Sequence, residues 1–121
     1  MPLAGKPLTI TIAEYHALLA REMRETGRDG LSQKVFDRAR ALGWLCARYP
    51  TFRKTHTTPG FPDITMVRGG RLLFVEFKRE GKEPTEMQKA WLNELRAVPF
   101  VEVYVWRPSD FLSGEIERVL T

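Results

Sequence analysis

The spacing of apolar positions changes along the chain, and each change marks an element. From Ser32 to about Leu42, Val35, Phe36, Ala39 and Leu42 recur at helical spacing with Lys34, Asp37, Arg38 and Arg40 between them, and Gly43 stops the run. Ahead of it, Thr11 and Glu14 stand at the spacing of a capping box. A helix is therefore predicted to begin near Thr11, with Leu18, Leu19 and Met23 as a modest apolar face and Gly27 and Gly30 past its end. Trp44 to Tyr49 is a short β-prone run that predicts a first strand. Pro62 lacks a backbone donor and biases Phe61 toward an extended conformation, so strand structure resumes near Asp63 and continues through Ile64 to Val67. Gly69-Gly70 reads as a hairpin turn, and Leu72 to Lys78 is the most strand-like segment of the chain. Thr85 opens a helix to about Ala97 with Met87, Trp91 and Leu95 on one face. VEVYVW, residues 101–106, is a fourth strand, and Ser109 to Leu120 predicts a closing helix. The order helix, three strands, helix, strand, helix implies an α/β fold with a central sheet flanked by helices. Residues 1–30 are expected to form an N-terminal helical appendage and residues 31–121 the domain proper.

The 121 residues suit one domain, and an apolar fraction of 43% with 28% charged residues excludes a disordered chain. No apolar run approaches the length of a membrane span, and MPLAGKPLTITI lacks the features of a signal peptide, so a cytoplasmic protein without membrane contact is expected. Cys46 is the single cysteine. It rules out an internal disulfide, supplies too few ligands for a cysteine-based zinc site, and is expected to be a small buried hydrophobe. The formal charge of +4 leans toward a polyanionic partner, a weak signal by itself.

Chemistry enters through the strand LLFVEFK. Side chains alternate across a strand, so Leu72, Phe74, Glu76 and Lys78 share one face while Leu73, Val75 and Phe77 share the other. Glu76 and Lys78 lie about 6.6 Å apart along the strand, within reach of one phosphate. That pair alone also reads as a solvated strand end. The turn at Gly69-Gly70 changes the balance, because antiparallel pairing about it places Asp63 opposite Glu76. Two such carboxylates repel each other unless protonated or bridged by a cation, and hard oxygen ligands suit Mg²⁺ or Mn²⁺. A lysine beside that ion could orient or deprotonate a water, or offset charge developing on a phosphate, which together describe metal-assisted phosphodiester hydrolysis.

GFPD at residues 60–63, EFK at residues 76–78, the helix TEMQKAWLNEL and the strand VEVYVW together resemble the VRR-NUC branch of the PD-(D/E)XK nucleases, over roughly residues 31–110. Pro62-Asp63 matches the family's PD, Glu76-Phe77-Lys78 its (D/E)XK, and Gln88 the glutamine of the following helix. The resemblance implies a restriction-endonuclease-like αβββαβ core with a mixed sheet. It implies a DNA endonuclease, acting on branched or structured DNA, in which Asp63, Glu76 and the backbone carbonyl of Phe77 bind Mg²⁺ or Mn²⁺. Lys78 would act on the attacking water, and a homodimer or higher homo-oligomer is expected. Family members usually place an acidic residue near the start of the first helix. Here Asp29, Gln33 and the more distant Glu25 all come into contention, and none is a clean match.

Other residues carry two readings each. Gln88 stands three residues after Thr85, so it either satisfies the helix's own backbone as a capping box or serves the site. His56 is either a phosphate contact or a solvated loop residue. Arg48, Arg53, Lys54, Arg68, Arg79 and Lys82 are expected to rim the Asp63–Glu76 site as DNA-backbone contacts or to form ordinary basic surface. Phe61 either stacks on a base or belongs to the core, while Trp91, Tyr104 and Trp106 fit apolar faces. A non-catalytic DNA-binding or assembly module that keeps the fold is the alternative to a nuclease. No GxxxxGK loop is present to support a nucleotide-binding enzyme.

Overall fold

A computed structural model describes residues 9–48 and 58–121. The elements run α1 (Ile12–Glu22), α2 (Leu31–Ala41), β1 (Leu45–Arg48), β2 (Ile64–Arg68), β3 (Arg71–Phe77), α3 (Glu86–Arg96), β4 (Val101–Trp106), α4 (Pro108–Leu112) and α5 (Glu115–Leu120). The strands form one mixed sheet in the order β1-β2-β3-β4, antiparallel except for the β3–β4 pair, which is parallel. The parallel pair requires a crossover, and α3 supplies it. Among the described residues, no helix is long and apolar enough to cross a membrane.

Gly69 and Gly70 both adopt positive φ, +54° and +81°, as a tight two-residue hairpin requires. The turn fixes the register: Arg68 pairs with Arg71 and Ile64 with Val75, so Asp63 and Glu76 are the next positions beyond the ladder. Ile64, Met66, Leu73, Val75, Phe77 and Trp106 share one sheet face. They pack in one buried cluster with Leu31, Val35 and Ala39 of α2 and with Ile116, Val119 and Leu120 of α5. The i, i+4, i+8 spacing of the α2 residues is the stripe a helix needs to lie on a sheet. On the opposite face Phe61 stands edge-on between Phe74 and Trp91, with ring centroids 5.9 Å and 5.1 Å away, which assigns it to packing.

Several expectations shift. The closing helix is two short helices, because Gly114 at φ +88° breaks it between Leu112 and Glu115. The break lets α5 turn its buried residues onto the sheet. In α3 the buried position is Leu92, flanked by Trp91, Leu95 and Gln88, while Met87 is exposed. The inward face of α3 thus lies part of a turn away from the one its apolar spacing predicts. Cys46 is half-buried, and its burial raises the thiol pKa. Both capping boxes form, Thr11 with Glu14 at α1 and Thr85 with Gln88 at α3. The N-terminal helix α1 lies against α4, and the loop after it bonds directly to α2, with the Leu31 and Ser32 N–H groups donating to the carbonyls of Arg24 and Glu25 at 2.7 and 2.8 Å.

Candidate active site

The open end of the β2–β3 hairpin gathers the acidic residues. Asp63 Oδ2 accepts the backbone N–H of Phe77 at 2.8 Å, which ties the carboxyl to the strand that carries Glu76. Glu76 is 2% exposed and is the one charged residue in the buried set of the described chain. Its Oε2 accepts a hydrogen bond from Gln88 Nε2 at 2.9 Å, whereas Oε1 is buried with no partner. A buried carboxylate oxygen left unsatisfied is costly, and such a group calls for a ligand.

The electrostatics agree with that geometry. Burial, reinforced by the neighbouring Asp63 charge, pushes the Glu76 carboxyl up to about 8, and Lys78 opposes the rise only in part. Burial also raises Asp63, against the pull of the Phe77 N–H, Glu76 and Lys78. Without a cation the Asp63–Glu76 pair therefore holds a shared proton near neutral pH. Lys78 is held at the strand end, where its backbone N–H donates to the Trp106 carbonyl at 3.0 Å.

Gln88 forms the capping box and also bonds to Glu76. Its Oε1 accepts the Thr85 N–H at 2.8 Å and its backbone N–H donates to Thr85 Oγ1 at 3.2 Å, which completes the cap. The amide's other end reaches Glu76. Of the first-helix candidates, Glu25 is the one whose charge acts on both Asp63 and Glu76, and its Oε2 accepts the Arg79 N–H at 3.0 Å. It reaches the site from the loop before α2, not from the helix itself. Gln33 bonds to Asp37 and Arg48 instead.

Among the described residues, no group of three or more His, Cys, Asp or Glu side chains is arranged to hold a metal ion. Two carboxylates, one with a free buried oxygen, nevertheless fit a hard divalent cation that keeps several waters, as Mg²⁺ does. Arg79 and Lys82 follow the site in an exposed segment. Arg53, Lys54 and His56 lie outside the described residues. Arg68 departs from expectation, because it sits at the turn end of the hairpin. There it donates to the Leu42 and Thr121 carbonyls and covers the Trp44 ring, a structural role five residues from Asp63. Arg48 likewise lies on the Phe36 ring, 4.0 Å from its centroid.

No family model matches the chain, and no curated protein matches it either. A solved structure described as a VRR_NUC domain superposes with a TM-score of 0.57 at 24% identity, covering 71% of this chain and 89% of that one. The chain has the fold of a VRR_NUC domain. The helix, three-strand, helix, strand order and the mixed sheet expected from the sequence are thus those of a VRR_NUC fold. Thr85 and Gly60 fall within the TEMQKAWLNEL and GFPD motifs, but sequence reasoning assigns neither a role of its own at the site. The signal for Thr85 is its capping-box spacing to Gln88, and for Gly60 its place directly ahead of Phe61-Pro62-Asp63.

Proposed function

We propose that the protein is a divalent-metal-dependent DNA endonuclease, with Asp63, Glu76, Lys78 and Gln88 at its centre. The observation that carries the reading is Glu76, a buried carboxyl with one oxygen unpartnered, set beside Asp63 at the end of a strand whose next residue on the same face is a lysine. A structural ion pair would have satisfied that oxygen. Asp63 and Glu76 would hold Mg²⁺ or Mn²⁺ together with the Phe77 carbonyl, and Glu25 adds negative charge beside them. Such an ion, when bound, polarises a phosphoryl oxygen and lowers the pKa of a coordinated water. Gln88 keeps the Glu76 carboxylate turned toward the site. Lys78 takes or orients the proton of the attacking water and offsets the charge that develops on the phosphate. Arg79 and Lys82 follow on an exposed segment suited to DNA-backbone phosphates, and the chain's positive balance favours the same partner.

Branched or otherwise structured DNA is the substrate class proposed, on the VRR-NUC resemblance of residues 31–110, and a homodimer would bring two such centres to two strands. Incubation with duplex, flap, fork and four-way DNA, in Mg²⁺ or Mn²⁺ and then in EDTA, tests the reading. Cleavage that requires the metal and is greater on branched substrates supports it. DNA binding without metal-dependent cleavage in any of the four would leave a non-catalytic binding module instead.

A further inference from the structure

The first turn of α3 is fastened from two sides, and both fastenings converge on Gln88. From below, Thr85 Oγ1 accepts the Gln88 backbone N–H while the Thr85 N–H donates to Gln88 Oε1, at 3.2 Å and 2.8 Å. With its oxygen committed to the cap, the side-chain amide can present only its NH₂ group outward, which is what a carboxylate acceptor requires. From the other side, the loop that leads into Asp63 presses on the same turn. Gly60 has φ +85°, and a Cβ built on it would lie 2.6 Å from the Met87 carbonyl carbon, 2.7 Å from its oxygen and 2.9 Å from the Gln88 nitrogen. Those contacts are with backbone, which cannot swing aside. The loop and the helix therefore meet at a separation only glycine permits.

Three residues beyond Gly60, Asp63 is bonded to the Phe77 N–H, so a single short segment sets both the height of Gln88 and the position of the second carboxylate. Phe61, wedged between Phe74 and Trp91, anchors that segment to the sheet and to α3. We propose that Gly60 and Thr85 are positioning residues, which hold the first turn of α3 where Gln88 can occupy one oxygen of Glu76 and leave the other free for a cation. The inference rests on the metal-site reading above. Neither residue touches substrate or metal in this account; both act through Gln88 on Glu76. Residues that orient a metal ligand from behind typically control about 10–100-fold in metal affinity.

The test compares full-length Thr85→Ala, Thr85→Ser and Gly60→Ala with the wild type, and adds Thr11→Ala, which removes the equivalent cap of α1, a helix that carries neither Gln88 nor the carboxylates. Mn²⁺ affinity is measured by calorimetry, and the Gln88 side-chain amide is followed by NMR in metal-free protein. Thr85→Ala and Gly60→Ala should shift the amide resonance and weaken Mn²⁺ binding about 10–100-fold. Thr85→Ser should retain both properties, and Thr11→Ala should lower only the melting temperature. If Gly60→Ala does not fold, the two Thr85 variants decide. A folded Thr85→Ala with an unmoved Gln88 amide overturns the proposal. So does a Thr11→Ala protein that loses Mn²⁺ affinity as fully as Thr85→Ala, since helix stability alone would then explain the effect. A wild type that takes up no Mn²⁺ would sink the metal reading, while the amide resonance would still decide the positioning claim.

Discussion

At the turn end of the β2–β3 hairpin, Arg71 donates two hydrogen bonds to Glu102 and a third to the Val119 carbonyl, and Tyr104 adds its hydroxyl to the same carboxylate at 2.6 Å. At the open end, about 16 Å along the strands, Glu76 is more deeply buried yet has one oxygen without a partner and a second carboxyl for a neighbour. The two ends respond in opposite directions. Glu102 is held below the usual carboxylate range chiefly by its bond to Arg71, whereas burial and Asp63 drive Glu76 upward. One sheet thus carries a charge cluster whose groups are all paired and another that leaves a buried carboxyl oxygen without a partner.

The largest effect separating the two ends should come from Lys78→Ala. Cleavage should fall by at least about 100-fold, while Mn²⁺ affinity by calorimetry stays within a few-fold of wild type, because both carboxylates remain. Retained cleavage in a well-folded Lys78→Ala protein would remove the lysine from the chemistry. A smaller and different effect is expected at the turn end. Arg71→Ala leaves the Glu102 carboxylate and the Val119 carbonyl short of a donor, at a cost of about 1–3 kcal/mol in chemical denaturation. Its Mn²⁺ affinity should be unchanged. If Arg71→Ala weakened the metal as much as it weakened the fold, the two ends would not be separable.

Much of this contrast is legible in the sequence, because a two-glycine turn determines register and register determines which side chains face each other. Counting outward from Gly69-Gly70 along the chain is enough to set Asp63 against Glu76, and the observed ladder has that register. Capping boxes are legible for the same local reason. What escapes is whatever depends on contacts distant in sequence. The spacing of Thr85 and Gln88 reveals the cap, but the bond from Gln88 to Glu76 exists only because α3 crosses back over β3. Glu25 stands among three candidates, and the loop bonded to the start of α2 is what brings it to Arg79. Arg68 resembles any other loop cation until the Trp44 ring and the Leu42 carbonyl claim it. The break at Gly114 is within reach, since Ser113-Gly114 is a turn signal that the helical pattern on either side outweighs.

Thermal melts across pH, with and without Mn²⁺, test the central claim most directly: the open end is a cation site kept uncompensated in the free protein. A carboxyl raised from 4.5 to about 8 on folding binds more protons in the native than in the unfolded state between those values. The metal-free wild type should therefore lose stability as pH rises from about 4.5 to about 8 and level off above it. Mn²⁺ at about 100 times its dissociation constant should restore about 2.7 kcal/mol at the upper end. Glu76→Gln removes the titrating group and one metal ligand while keeping an acceptor for Gln88. Its melting temperature should lack that decline with pH and respond little to Mn²⁺. A wild type whose stability is flat from about pH 4.5 to about 8, or a Glu76→Gln protein that Mn²⁺ stabilises as strongly as the wild type, would contradict the account.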